Sequence, residues 1–183
     1  MPSMYEIYER HGAEYDELVD REDCRGELGA FVSGFVRPGD RILEAGTGTG
    51  RVTALYAAKA SRVLCCDRSY HMLERARSRL SAHGDKIAYR ELGNLELALA
   101  AGEGPYDLVV EGWSFGHTVS DFPGREDATT DALVSACRAC LAPGGRILFL
   151  ATLGTNLPEP AAPAPFLDAF YRRLEAVHGF ARA

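Results

Sequence analysis

Apolar positions along the chain follow two spacings. Leu28, Phe31, Val32 and Phe35 recur at i, i+3, i+4 and i+7, one stripe of an amphipathic helix from about Asp23 to Val36. Residues 4 to 20, with Ile7, Tyr8, Tyr15, Leu18 and Val19 as apolar anchors and Gly12 as an interruption, predict a helix before it, and Pro38-Gly39 ends the pair. Downstream, short apolar runs alternate with helical stripes. Ile42-Leu43, Val63-Leu64-Cys65-Cys66, Ile87-Ala88-Tyr89, Tyr106 to Glu111 and Ile147 to Leu150 read as five strands buried on both faces. Val52 to Ala60, Ser69 to Leu80 and Ala128 to Leu141 read as helices, with Met72, Leu73, Ala76 and Leu80 on one face of the second. Gly93 to Gly104 reads as a short connection and Gly112 to Gly124 as a loop. A Pro-rich stretch, a helix from about Phe166 to Val177 and the first residues of a strand at Phe180 complete the pattern. Strands alternating with helices predict an α/β layer fold with a mostly parallel central sheet.

Composition narrows the class. The 183 residues suit one domain, and 46% apolar with 25% charged is ordinary for a globular protein. A net charge of -6 without a basic stripe argues against a nucleic-acid partner. No stretch has the length of a membrane span, and the first residues lack the pattern of a signal peptide, so a cytoplasmic setting without membrane attachment is the expectation. Five cysteines without a regular framework do not suggest secreted disulfides. Cys65-Cys66 lies in an apolar run and reads as core. Cys137 and Cys140 form C-x-x-C on a helix with no second ligand pair nearby, so no metal is expected.

The candidate chemistry starts at Arg41 to Arg51. A strand ends in Glu44, glycine then occupies positions 46, 48 and 50, and a helix begins. Glycines there permit a sharp bend and let a ligand approach the backbone N–H groups. The second strand ends in Asp67, about 20 residues after the first glycine, where an acid can hold both hydroxyls of a ribose or simply favour a helix N-terminus. Counted from Gly46, the third position of the dinucleotide fingerprint falls on Arg51, and no G-x-x-x-x-G-K-[ST] loop is present. An acid at the strand end repels a pyrophosphate but welcomes an ammonium or sulfonium. Those charges belong to S-adenosylmethionine.

Four stretches carry a resemblance. Leu43 to Gly50 resembles the first motif of class I S-adenosylmethionine-dependent methyltransferases, and Cys66-Asp67-Arg68-Ser69-Tyr70-His71-Met72-Leu73 their second-strand motif. Pro105 to Val110 resembles their fourth strand, and Leu141-Ala142-Pro143-Gly144-Gly145-Arg146 the turn before their fifth. The match spans roughly residues 40 to 152 in order and spacing. It implies a three-layer Rossmann-like methyltransferase fold and a single domain, with residues 1–38 as a helical cap, 40–152 as the cofactor-binding core and 153–183 as a C-terminal helix and strand start. It also implies that Gly46, Thr47, Gly48 and Gly50 line the methionine and ribose portions of S-adenosylmethionine, that Glu44 lies near its ammonium, directly or through water, and that Asp67 binds the ribose. Met72 or the Arg68-Ser69 backbone would border the adenine, Asn94-Leu95 would read its amino group, and Glu111 would join the cofactor-binding residues after strand four. Tyr15 is either a lid residue at the methionine tail or a helix anchor, and Arg21 stands with it.

The stretch from Glu111 to His117 lacks the Asn-Pro-Pro-Tyr type sequence, which argues against amide or exocyclic amino nitrogens as acceptors. Trp113 and Phe115 either wall the methyl site or pack the loop, and His117 is either a general base or a solvated loop residue. A small-molecule O, N or C acceptor is the expectation. A non-catalytic cofactor-binding or regulatory subunit is the alternative, and an NAD-dependent dehydrogenase is weaker because the third fingerprint glycine is absent. The family sheet usually ends with an antiparallel pair after strand five. Here at most one strand begins, so the sheet is expected to stop after strand five or six, and an open edge would favour a homodimer.

Overall fold

The computed structural model describes residues 11–19, 21, 23, 25–154 and 158–182, without the side chains of residues 12, 13, 15 and 16. Five strands form one sheet: β1 (Arg41–Ala45), β2 (Arg62–Asp67), β3 (Ile87–Glu91), β4 (Tyr106–Gly112) and β5 (Leu141–Leu150). Their order is β3-β2-β1-β4-β5, and every adjacent pair is parallel. Glu44 on β1 stands in register with Cys65 on one side and Val110 on the other.

Strand periodicity divides the core between two faces. Ile42, Val63, Cys65, Leu108 and Val110 face a layer built from α2 (Glu27–Phe35), α3 (Arg51–Tyr56) and α4 (Tyr70–Arg79). Leu43, Ala45, Leu64, Cys66 and Val109 face α5 (Phe115–Ser120), α6 (Glu126–Cys140), α7 (Pro165–Ala176) and the 3-10 segment Asn94–Glu103. Helices on both faces of a parallel sheet give the α/β layer fold that the pattern predicts, in the three-layer Rossmann-like form that the resemblance implies. The paired cysteines are packing: Cys65, Cys66, Cys137 and Cys140 are all buried, and Cys140 Sγ lies 3.2 Å from the Leu97 carbonyl. Burial pushes the Cys66 thiol up to about 12, so it stays protonated and apolar in character.

Several boundaries differ from the sequence reading. Of the first predicted helix, residues 4–10 lie outside the described residues, and α1 (Gly12–Val19) has Gly12 at its start. The next helix begins at Glu27, because the Asp23 carboxylate accepts the N–H groups of Glu27 (2.9 Å) and Leu28 (3.1 Å) from ahead of it. The connection after β3 is a 3-10 segment whose entry is held by Glu96, accepting the Gly93 N–H at 3.0 Å. The stretch expected to be all loop after β4 contains α5, whose first N–H groups are taken by Glu111. Strand β5 starts six residues early, at Leu141 opposite Tyr106, and its register with β4 then slips before Arg146 meets Leu108. The expected strand at Phe180 does not form: residues 180–182 are outside the sheet, and the Phe180 ring packs edge-on to Phe149, with 4.8 Å between centroids.

A polar tie secures the amino-terminal end of the sheet. The Asp40 carboxylate, 7% exposed, accepts the Arg37 N–H at 2.9 Å and Arg146 Nη2 at 2.6 Å, while Arg146 Nη1 also donates to the Phe35 carbonyl. Strand β5 is thereby joined to α2 and to the entry of β1. All five strands run with their carboxyl ends at the opposite edge, and β1 and β4 are neighbours where the strand order reverses. A ligand crevice belongs at that point. Among the described residues no helix is long and apolar enough to cross a membrane.

Candidate functional site

A cavity of about 810 Å³ opens beyond the carboxyl ends of β1, β2, β3 and β4, a volume suited to a nucleoside-sized ligand. Its floor is the turn after β1. Gly46, Gly48 and Gly50 all have positive φ, and Thr47 pins the bend: its N–H donates to the Cys66 carbonyl (2.9 Å) and its hydroxyl to the Glu44 carbonyl (3.3 Å). A Cβ on Gly46 would lie 2.2 Å from the side chain of Ser114, so only glycine lets the β4 loop close over the turn. At Gly50 a Cβ would press on Leu80 at 3.0 Å and Ala76 at 3.3 Å, so that glycine serves the packing of the turn on α4. Gly46 and Gly48 line the cavity; Thr47 and Gly50 are buried behind it.

Asp67 locks the turn from the neighbouring strand. One carboxylate oxygen accepts the Gly48 N–H and the other the Ser69 N–H, both at 2.8 Å. Burial raises its pKa, and these two N–H groups oppose the rise. Each oxygen keeps a second acceptor site, and the residue lines the cavity. Beside it, Ser69 caps α4 by accepting the Met72 N–H at 3.3 Å, which turns Met72 into the wall together with Arg68. Arg68 also meets Asp121 at 4.0 Å.

The wall beyond β3 is Asn94 and Leu95. Asn94 Nδ2 donates to Ser114 Oγ (3.3 Å) and Thr118 Oγ1 (3.0 Å), so the amide is oriented by the β4 side of the cavity. Trp113, Ser114, His117 and Thr118 form that side. Trp113 has φ +60°, the one non-glycine residue with positive φ among those described, a conformation that costs on the order of 1–3 kcal/mol and that clusters at functional sites. His117 faces the cavity, and burial lowers its pKa while Asp121 opposes the change, so its imidazole is neutral at pH 7. Phe115, by contrast, is fully buried and packs on Phe149, with 5.6 Å between centroids, which resolves its alternatives in favour of the core.

Two predicted site carboxylates turn away from the cavity, and strand alternation is the reason. Glu44 shares the face of Ile42 and points under α3, where it accepts hydrogen bonds from Thr53 Oγ1 (2.7 Å) and the Tyr56 hydroxyl. This corrects the expectation of direct contact with a ligand ammonium. Glu111 shares the face of Val109 and accepts the N–H groups of Ser114 and Phe115 together with the Ser114 hydroxyl. It caps α5 and corrects both the expected cavity contact and the all-loop reading of this stretch. Burial pushes each carboxyl up to about 7 against the effect of those hydrogen bonds.

Tyr15 lies on α1, but its side chain is outside the described residues; Arg21 is exposed. The sequence reading passed over Arg51, Ser114, Thr118, Leu18 and Phe122, all of which line the cavity. Small hydroxyls and an isolated loop residue such as Phe122 give no local signal, Leu18 reads only as a helix anchor, and Arg51 stood out only as a missing glycine. Among the described residues no group of three or more His, Cys, Asp and Glu side chains is placed to hold a metal ion.

Residues 43–147 match the methyltransferase domain family model. An uncharacterized protein of Mycobacterium tuberculosis is 32% identical over 135 residues, 72% of this chain and 45% of the relative, so the chain spans a little under half of that protein's length. The demethylmenaquinone methyltransferase of Symbiobacterium thermophilum is 34% identical over 118 residues, 62% of this chain and 43% of that enzyme. Among solved structures, DhpI in complex with SAH superimposes with a TM-score of 0.59 at 26% identity, covering 78% of this chain and 64% of DhpI. With the strand order, the glycine turn and the acid at the end of β2 in place, the chain belongs to the class I S-adenosylmethionine-dependent methyltransferase family.

Proposed function

We propose that the cavity binds S-adenosylmethionine and that the protein transfers its methyl group to a small-molecule acceptor. The observation that carries this reading is Asp67, at the end of β2, bridging the N–H groups of Gly48 in the turn after β1 and of Ser69, with acceptor sites left for a ribose. The reading gives Gly46 and Gly48 the methionine and ribose portions, Met72, Arg68 and Leu95 the faces of the adenine, and Asn94 its amino group. Trp113 walls the methyl end, with His117 as the nearby base. The SAH in the DhpI structure and the quinone-type substrate in the name of the Symbiobacterium enzyme support the same cofactor and acceptor class. The chain is read as one methyltransferase domain, with a helical cap ahead of a core at residues 40–152.

S-adenosylmethionine supplies a methyl already activated by the sulfonium. The protein's task is to align the acceptor, exclude water and accept a proton where the acceptor carries one. Charge leaves sulfur as the methyl moves, so a fixed anion against it would stabilise the ground state more than the transition state. Turning Glu44 and Glu111 into the core, away from the cavity, fits that requirement. His117, held neutral by burial, is able to accept the acceptor's proton.

Calorimetric titration with S-adenosylmethionine tests the reading. The wild type is expected to bind, and Asp67→Ala to bind about tenfold or more weakly, as expected for a lost charge-assisted hydrogen bond to a ligand. Equal affinity in the variant would sink the site assignment. Labelled methyl entering a small-molecule fraction of a cell extract supports transfer; binding without any such transfer returns the chain to a non-catalytic role.

A further inference from the structure

We propose that Arg51 is a positioning residue that clamps the end of α1 to the turn after β4, and that this clamp fixes Trp113 as a wall of the cavity. For the ligand, the proposal rests on the S-adenosylmethionine reading above.

Two of the contacts of Arg51 join opposite sides of the cavity mouth. Its Nη1 donates to the Val19 carbonyl at 2.7 Å, and its guanidinium carbon stands 4.8 Å from the centroid of the Trp113 ring. Val19 is the last residue of α1, so the carbonyl lacks a partner within its helix and sits at the negative end of the helix dipole. A guanidinium donates in its plane while stacking its face on an aromatic ring; an ammonium, whose charge sits on one compact atom, covers less of the ring while donating. The same side chain therefore grips both sides of the cavity mouth, and Leu18, Val19, Arg51 and Trp113 all line it.

Each side needs the grip. Among the described side chains of α1 only Val19 is buried, and Leu18 is 67% exposed even though it lines the cavity. On the other side, Trp113 holds a left-handed backbone that an L-residue resists. Its own N–H donates to the Leu150 carbonyl at 3.1 Å, and Gly112 before it lies against Val52, the neighbour of Arg51, so closely that a Cβ would fall 3.1 Å away. The backbone of the turn is anchored at β5 and α3. The indole is half-buried against the core cluster that contains Val32 and Val52, with the guanidinium as a further cover, and without that cover the ring loses one of the contacts that oppose its release to solvent.

Trp113 is the sole tryptophan of the chain, so its emission reports this wall directly. The test uses the full chain with Arg51→Met, which keeps the aliphatic stem, and Arg51→Lys, which keeps the charge. With no ligand added, acrylamide quenching of Trp113 is expected to rise about twofold in Arg51→Met and by a smaller factor in Arg51→Lys, since ammonium stacking is the weaker cover. The dissociation constant for S-adenosylmethionine is expected to rise about tenfold in Arg51→Met, with partial rescue in Arg51→Lys. Wild-type quenching in either variant would overturn the clamp, and so would raised quenching with unchanged affinity. If the wild type itself binds no S-adenosylmethionine, the cofactor reading falls, and the ligand-free quenching still decides the clamp.

Discussion

Glu44 allows a quantitative test of how the sheet treats a buried carboxyl. It is 1% exposed, and burial moves its pKa from 4.5 to about 7. Between those values the folded chain holds a proton that the unfolded chain releases, so stability falls as pH rises through the window and is level above it. At ~1.4 kcal/mol per pH unit the displacement corresponds to about 3 kcal/mol from this one side chain. Glu44→Gln keeps an acceptor for Thr53 and Tyr56 but cannot ionise. Its spare amide hydrogens add a pH-independent cost of about 1–3 kcal/mol. Urea unfolding of both proteins at intervals from pH 4.5 to pH 8 is the assay. Subtracting one curve from the other removes the contributions shared by both, among them Glu111 and Asp67, which fall in the same direction, and His117, whose lowered pKa gives the opposite slope. The stability of Glu44→Gln relative to wild type is expected to rise by about 3 kcal/mol across the range. A difference that stays constant with pH would refute the reasoning, because it would mean that Glu44 ionises as easily folded as unfolded.

Two substitutions probe the rest of the framework. Gly46→Ala places a Cβ 2.2 Å from Ser114 at a positive φ, so it is expected to destabilise the fold by about 1–3 kcal/mol and to abolish measurable cofactor binding; calorimetry showing wild-type affinity would contradict the closeness of turn and loop. Asp40→Ala removes the partner of the half-buried Arg146 at the edge of the sheet away from the cavity. It is expected to cost about 2–3 kcal/mol in urea unfolding with cofactor affinity unchanged, and a loss below about 1 kcal/mol would reduce this pair to the standing of a surface ion pair.

Much of this protein is legible in one dimension. Alternating apolar runs and stripes determine five buried strands with helices between them, because strand and helix periods are local and the burial they demand is the same wherever the segment lies. The glycine turn and Asp67 are legible for the same reason: each sits at the end of its own strand, and parallel strands bring their carboxyl ends to one edge. Side-chain direction is not local in that sense. Glu44 and Glu111 both end strands at that edge, yet the pleat sends one under α3 and the other to the start of α5. Only pairing with neighbours decides which face is which. The helix α5 is a tertiary product too: its first N–H groups find their acceptor in a strand residue, and no propensity in the stretch after Gly112 announces it. Arg51 shows the limit most plainly. As sequence it marks the absence of a third glycine; in the fold it lies between α1 and Trp113, whose positions depend on chain segments 32 and 62 residues away being packed against it, and no local pattern encodes such a contact.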